Sequence, residues 1–140
     1  MSKENVEIVR QALNAWIEVD EGLAEPGRLY EFFAPDGTLD LSGVFDLAGK
    51  NETHGFDEFL EWRAAWAEPY DDYSDSAEKI IDAGAQGVVV TFHQRGKPHG
   101  SDSYVEMRYA FVYTVEDGLI TRGRVYGSSA DALEAAGLRE

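Results

Sequence analysis

His93, Glu106 and Arg108 are the residues whose types and spacing could do chemistry. A histidine with an ordinary pKa of ~6.5 exchanges protons at neutral pH. A carboxylate with a guanidinium two residues on can move a proton and hold negative charge developing on an oxygen. Glu106 and Arg108 lie in the run Asp-Ser-Tyr-Val-Glu-Met-Arg-Tyr-Ala-Phe-Val-Tyr-Thr-Val, residues 102–115. Side chains alternate in a strand, so both share a face with Asp102, Tyr104 and Ala110. Val105, Met107, Tyr109, Phe111, Tyr113 and Val115 form the other face. Two readings follow. If the charged face is concave, Glu106 and Arg108 sit at a pocket mouth and the protein is an enzyme candidate. If the apolar face is concave, they are a partly solvated outer ion pair and the pocket is a greasy binding cup. His93 shares a strand face with Val89, Thr91 and Arg95, and a histidine near a strand end is commonly just half-exposed.

Other polar clusters promise less. The three His lack zinc-ligand spacing and no Cys assists them, so neither metal nor cofactor is expected. Asp71, Asp72 and Asp75 lack the spacing and central Gly of a calcium loop and read as a solvated loop. Gly43 and Gly49-Lys50 faintly resemble a phosphate loop, but the spacing is one residue too long and Asn51 replaces the required Ser or Thr. His54, just before a helix, could touch a ligand at a pocket rim. His99, in a Gly/Pro loop, reads as bland.

These residues need a scaffold, and composition bounds it. The chain has 140 residues, fitting one domain, and 44% are hydrophobic, including three Trp, seven Tyr and seven Phe. That supplies one core. Lys plus Arg number 12 against 27 Asp plus Glu, a net charge of −15. Such a surface repels phosphate backbones and anionic lipid, so neither nucleic acid nor membrane is an expected partner. No apolar run approaches the ~20 residues of a membrane span. The polar N-terminus lacks a secretion pattern, so a cytoplasmic location is expected.

In chain order, Val6, Val9, Leu13, Trp16 and Ile17 give residues 3–19 a helical stripe, with Ser2 as N-cap. A short helix after Pro26 carries Leu29, Tyr30, Phe32 and Phe33, stopped by Ala34-Pro35-Asp36-Gly37. Thr38–Ser42 reads as a short strand and 43–54 as a loop. A third helix over 55–68 places Phe56, Phe59, Leu60, Arg63 and Ala67 on one face, with Trp62 and Trp66 adjacent. Residues 70–76 read as a polar lead-in to a strand through Ile80 and Ile81, and 88–95 as a strand. The long hairpin follows, its arms joined at Glu116-Asp117-Gly118 and resuming at Leu119. A short helix over 129–136 ends at Gly137. Helices first and antiparallel strands after is an α+β arrangement.

Several segments resemble one family: Ala15-Trp16 before Asp20, Phe33-Ala34-Pro35-Asp36-Gly37, His54-Gly55-Phe56-Asp57-Glu58-Phe59, Asp82-Ala83-Gly84, Glu116-Asp117-Gly118-Leu119-Ile120, and Tyr126 followed by Ala132–Leu138. The chain is similar to SnoaL-like members of the nuclear transport factor 2-like superfamily, which includes ketosteroid isomerases, polyketide cyclases, scytalone dehydratase and limonene epoxide hydrolase. The resemblance implies one cone-shaped domain over 1–140, a curved antiparallel sheet wrapped around N-terminal helices, and a homodimer. It places the isomerase base at Leu41 beside Asp40, the oxyanion-hole acid near Arg108 and its tyrosine near Ala12, so none of the three groups is kept. Ser128 stands where relatives often carry Asp. The arginine–aspartate pattern of the epoxide hydrolase is missing after Arg108.

In such a cone, core aromatics double as pocket wall. The expected ligand contacts are Trp16, Tyr30, Leu41, His54, Trp62 and Tyr126, with His93, Glu106 and Arg108 as catalytic candidates. An aromatic wall suits an apolar cyclic or polyketide-like small molecule. Acid/base catalysis without a cofactor (isomerase, cyclase, dehydratase or hydrolase type) competes with non-catalytic ligand binding and with a pure dimerisation module. Fold alone does not separate these.

Overall fold

Helix α1 (Ser2–Asp20) leads in the computed structural model, which describes residues 2–20, 22–42, 44, 52–84 and 87–138. A 3-10 helix (Pro26–Glu31) follows, then β1 (Phe33–Asp40), β2 (Glu52–His54) and α2 (Gly55–Ala67). Four strands come next: β3 (Tyr70–Asp82), β4 (Val88–Pro98), β5 (Val105–Glu116) and β6 (Leu119–Tyr126). Helix α3 (Ser129–Ala135) is last. The strands form one curved, open sheet in the order β2-β1-β6-β5-β4-β3. Every neighbouring pair is antiparallel except β1 and β6, which run parallel. The α+β class with N-terminal helices and a short C-terminal helix stands as expected. The Gly49-Lys50-Asn51 segment lies outside the described residues, as do the side chains of Ser2 and Phe56.

The helices cover the sheet's inner face. Val9 and Ala12 of α1 and Trp62 of α2 join Val88, Val90, Phe92, Tyr109, Phe111 and Tyr113 of the strands in one core. Where α1 leaves the sheet, Ala15, Trp16 and Val19 turn toward Leu29 of the 3-10 helix. Ile17 points away from those neighbours and is 49% exposed, although it belonged to the predicted stripe. On the outer face, Ala132, Leu133 and Ala136 around α3 cover Val89 and Ala110. Ser128 caps α3, its hydroxyl accepting from the Asp131 amide at 3.1 Å. Gly137, at φ +79°, closes the other end as predicted.

Three boundaries moved for tertiary reasons. Residues 70–76 are not a lead-in but the first half of β3, pairing with Arg95–Pro98 and His93–Gln94 of β4. A polar sequence suits an edge strand, whose hydrogen bonds come from its partner and whose outer face meets water. The Ala34-Pro35-Asp36-Gly37 stop is absorbed into β1 as a register break between Phe33 and Thr38. Part of the predicted 43–54 loop is β2, paired with Thr38–Asp40. The hairpin turn holds: Asp117 and Gly118 both adopt positive φ, +52° and +80°, as a tight two-residue connection needs.

Candidate functional site

A cavity opens between α1, α2 and the inner face of the sheet, with about 80 Å³ accessible to the centre of a water-sized molecule. Helix α1 contributes Ala12, Leu13 and Trp16, and α2 contributes Phe59, Trp62 and Arg63 at helical spacing. Phe33 and Leu39 of β1 close one side. Phe92, Tyr109, Phe111 and Tyr113 form the sheet wall. Their rings stack in two pairs, Phe92 on Tyr109 and Phe111 on Tyr113, each with centroids 5.2 Å apart. The two pairs meet edge to face, with Phe92 at 86° to Phe111, so the wall is aromatic and largely apolar.

Polar groups enter the cavity from β3 and α2. Tyr73 and Asp75 are two apart on β3 and both point inward. Asp75 accepts a hydrogen bond from the Tyr109 hydroxyl at 2.8 Å and from the Tyr73 hydroxyl at 2.9 Å. The Arg63 guanidinium lies 3.9 Å from the same carboxylate, with the Arg63 and Asp75 side chains 13% and 12% exposed. It also rests between the rings of Trp16 and Tyr73, at 5.1 and 4.7 Å from their centroids. Gln94 accepts from the Trp66 indole at 3.1 Å and from Tyr73 at 2.8 Å. Tyr73 has one proton for two acceptors, so Asp75 and Gln94 share it. Removing a carboxylate from water is costly unless hydrogen bonds and a counter-charge compensate. Tyr73, Tyr109 and Arg63 provide both.

This network sets the protonation of the wall. Burial pushes the Tyr109 hydroxyl well above the usual phenol range, and the negative charge of Asp75 and its hydrogen bond add to the effect. Burial does the same to Tyr73, again reinforced by Asp75. Tyr113 is raised by burial first and by Asp75 second. All three therefore stay protonated donors at neutral pH, and none is a base.

His93, Glu106 and Arg108 are not in this cavity. They lie on the opposite face of the sheet, which matches the reading of an outer charged face and removes them from the pocket mouth as catalytic candidates. His93 Nε2 contacts Glu106 Oε1 at 2.7 Å, and Arg108 donates to Glu78 at 3.1 Å. The apolar face of β5 is the inner one, and strand alternation then turns Glu106 and Arg108 outward. Among the expected ligand contacts, Trp16 and Trp62 line the cavity. The other four lie elsewhere. Tyr30 packs by the 3-10 helix and donates to Asp57 at 3.1 Å. Leu41 is sealed in the core. His54 is exposed and 3.0 Å from Glu52. Tyr126 packs by α3 on the outer face, with the Arg124 guanidinium 5.3 Å from its ring centroid.

Asp75, Tyr73 and Tyr109 went unassigned as site residues because their segment read as a loop or their face as core. Arg63 fell on the predicted buried face of α2 without a role. The one usable signal was Tyr73-x-Asp75, a period-two pair that a strand would aim inward together.

The SnoaL-like domain profile matches residues 9–123. The chain belongs to the SnoaL-like family. No functionally curated protein matches the sequence. Solved structures share the fold. A nuclear transport factor 2-like protein of Burkholderia thailandensis is 18% identical over 94% of this chain and 95% of its own, with a TM-score of 0.69. A protein of Catenulispora acidiphila with a ketosteroid isomerase-like fold, in complex with trimethylamine, is 23% identical over 91% and 92%, at 0.61. TerC, co-crystallised with polyporic acid, is 14% identical over 96% and 98%, at 0.70. Within this SnoaL-like chain the isomerase positions carry no matching groups: Ala12 and Leu41 are apolar and buried, and Arg108 faces outward. Asp40 is engaged outside the cavity. Its carboxyl is held below the usual range chiefly by the Ser42 hydroxyl at 2.6 Å. Ser128 caps α3. The polar centre comes from β3 and α2 instead.

Proposed function

We propose that this SnoaL-like protein binds a flat, apolar, cyclic or polyketide-like small molecule and performs acid/base chemistry on it without a cofactor, with Asp75 as the proton-transfer group. The observation that supports this most is the placement of one carboxylate among stacked aromatic rings, held by two tyrosine hydroxyls and a guanidinium. An ionisable group kept in an otherwise apolar cavity is a functional candidate on physical grounds. The aromatic wall would hold the ring system. Tyr73, Tyr109 and Arg63 would fix the carboxylate's orientation, so that a substrate hydroxyl or acidic carbon meets it in one geometry. Work as a homodimer and as one domain over 1–140 belongs to the same proposal.

The outward placement of His93, Glu106 and Arg108 favours a second reading, in which the cavity binds its ligand and returns it unchanged. One experiment separates the two. The purified protein and Asp75→Asn are incubated with a panel of hydroxylated bicyclic and tricyclic ketones. Binding is followed by tryptophan fluorescence and turnover by mass spectrometry. Turnover by the parent protein and loss of at least ~100-fold in Asp75→Asn, with binding kept, is the expected result. Binding without turnover selects the second reading. No binding by any panel member removes both.

A further inference from the structure

Tyr113 differs from the other polar groups of the cavity. It lies in the middle of β5, opposite Val88 of β4 and Gly123 of β6. It lines the cavity and is only 8% exposed. Its ring is pinned on both sides. It stacks on Phe111 at an interplanar angle of 7°. It also lies so close over Gly123 that an added Cβ there would come within 3.0 Å of the ring. Tyr73 and Tyr109 spend their hydroxyls on Asp75. The Tyr113 hydroxyl makes no hydrogen bond among the described residues and is not fully sealed, and its side chain lines the cavity.

A hydroxyl facing an apolar cavity is served only by what enters that cavity, and a guest that seals it in unpaired loses of order 1–3 kcal/mol. A phenylalanine would fill the same volume at this position without that cost. Burial and the nearby Asp75 charge keep the hydroxyl protonated, so what it offers is a proton donor. The rest of the wall near it is hydrocarbon: Phe111, Phe92 and Leu39 carry no polar atom that could serve an oxygen. Arg63 and Asp75 balance each other's charge within the cavity, which favours an uncharged guest.

We propose that Tyr113 is the specificity-determining donor of the cavity, which takes a neutral cyclic molecule carrying an acceptor oxygen (a ring ketone, quinone or aryl ether). The oxygen accepts from Tyr113, while the ring packs beside Phe111. This rests on the ligand class proposed above and adds the position at which an oxygen is required. A site built to hydrogen-bond one substrate atom rejects analogues that lack it, because its own donor is then left unpaired.

The test uses 1-tetralone and its oxygen-free counterpart tetralin as probes, titrated into the whole protein by calorimetry or tryptophan fluorescence. The parent protein binds the ketone about tenfold more tightly than the hydrocarbon, the size of one neutral hydrogen bond. Tyr113→Phe binds both alike, with a native circular dichroism spectrum. A second readout does not depend on that variant folding. The carbonyl stretch of bound carbonyl-labelled 1-tetralone falls to lower wavenumber than in alkane solvent. It falls further when 3-fluorotyrosine, a stronger donor of nearly the same shape, replaces tyrosine at position 113. Equal affinity for the two probes, or a carbonyl band unmoved by the fluorotyrosine, overturns the role of Tyr113 and leaves the ligand class standing. Failure to bind either probe overturns the ligand class as well.

Discussion

Along β5, Tyr109, Phe111 and Tyr113 are each at most 8% exposed, whereas the side chain of Arg108, just before them on the other face, is 68% exposed. The two faces of one strand thus place polar groups in opposite surroundings. Outside, Arg108–Glu78 is a short contact made in water, where Coulomb attraction is screened and an exposed pair contributes ~0–1 kcal/mol, and His93 contacts Glu106 beside it. Inside, Asp75 contacts Tyr73, Tyr109 and Arg63 with little water present, so each hydrogen bond is harder to replace. A short charged contact is therefore a poor guide to function, and the surroundings of the charge are a better one.

That contrast can be broken most forcefully at Phe111. Phe111→Ala removes the ring that touches Phe92, Tyr109 and Tyr113 and should cost about 3–5 kcal/mol in denaturant unfolding. A loss under 1 kcal/mol would mean that the inner wall is not the core. Gly123→Ala probes the same wall from behind. Its new Cβ would come within 2.6 Å of Leu39 Cδ2 and 3.0 Å of the Tyr113 ring. We expect about 1–3 kcal/mol of destabilisation from overpacking, together with weaker probe binding as Tyr113 is displaced.

Alkaline titration compares the faces without mutation. Tyr73, Tyr109 and Tyr113 have folded pKa values above that of the unfolded chain, near ~10. Their contribution to stability is complete below that pH and is lost as pH rises beyond it, because the unfolded chain releases these protons first. Absorbance at 295 nm should show the signal of Tyr73, Tyr109 and Tyr113, three of the seven tyrosines, appearing only with loss of the fold. A single step for all of them would contradict a dry inner face. The smallest effects belong outside. His93→Ala, Glu106→Gln and Arg108→Ala should each change stability by less than about 1 kcal/mol and leave probe binding unaltered. A tenfold loss of binding in any of them would restore the outer face as a site.

Much of the architecture was legible beforehand. The hairpin, α1, α2 and α3 all follow from periodicity and from turn residues whose conformational needs are local. Asp117-Gly118 must turn wherever it is placed, and Gly137 must end a helix. Strand β3 was legible only in its second half, because Ile80 and Ile81 signal burial while Tyr70–Ser76 has the composition of a loop. Its strand character comes from pairing with β4, which no local window contains.

The sequence by itself determined which residues share a face. Once 105–115 is a strand, Glu106 and Arg108 must part company with Tyr109, Phe111 and Tyr113, because alternation is a property of the backbone. Which of those faces turns toward the helices depended on the apolar surfaces of α1 and α2, which are buried only if the aromatic face of β5 is the inner one. The assembly of Asp75, Arg63, Tyr73 and Tyr109 was also decided in three dimensions. These residues come from α2, β3 and β5, and only the curvature of the sheet around the helices brings the two hydroxyls and the guanidinium to the one carboxylate.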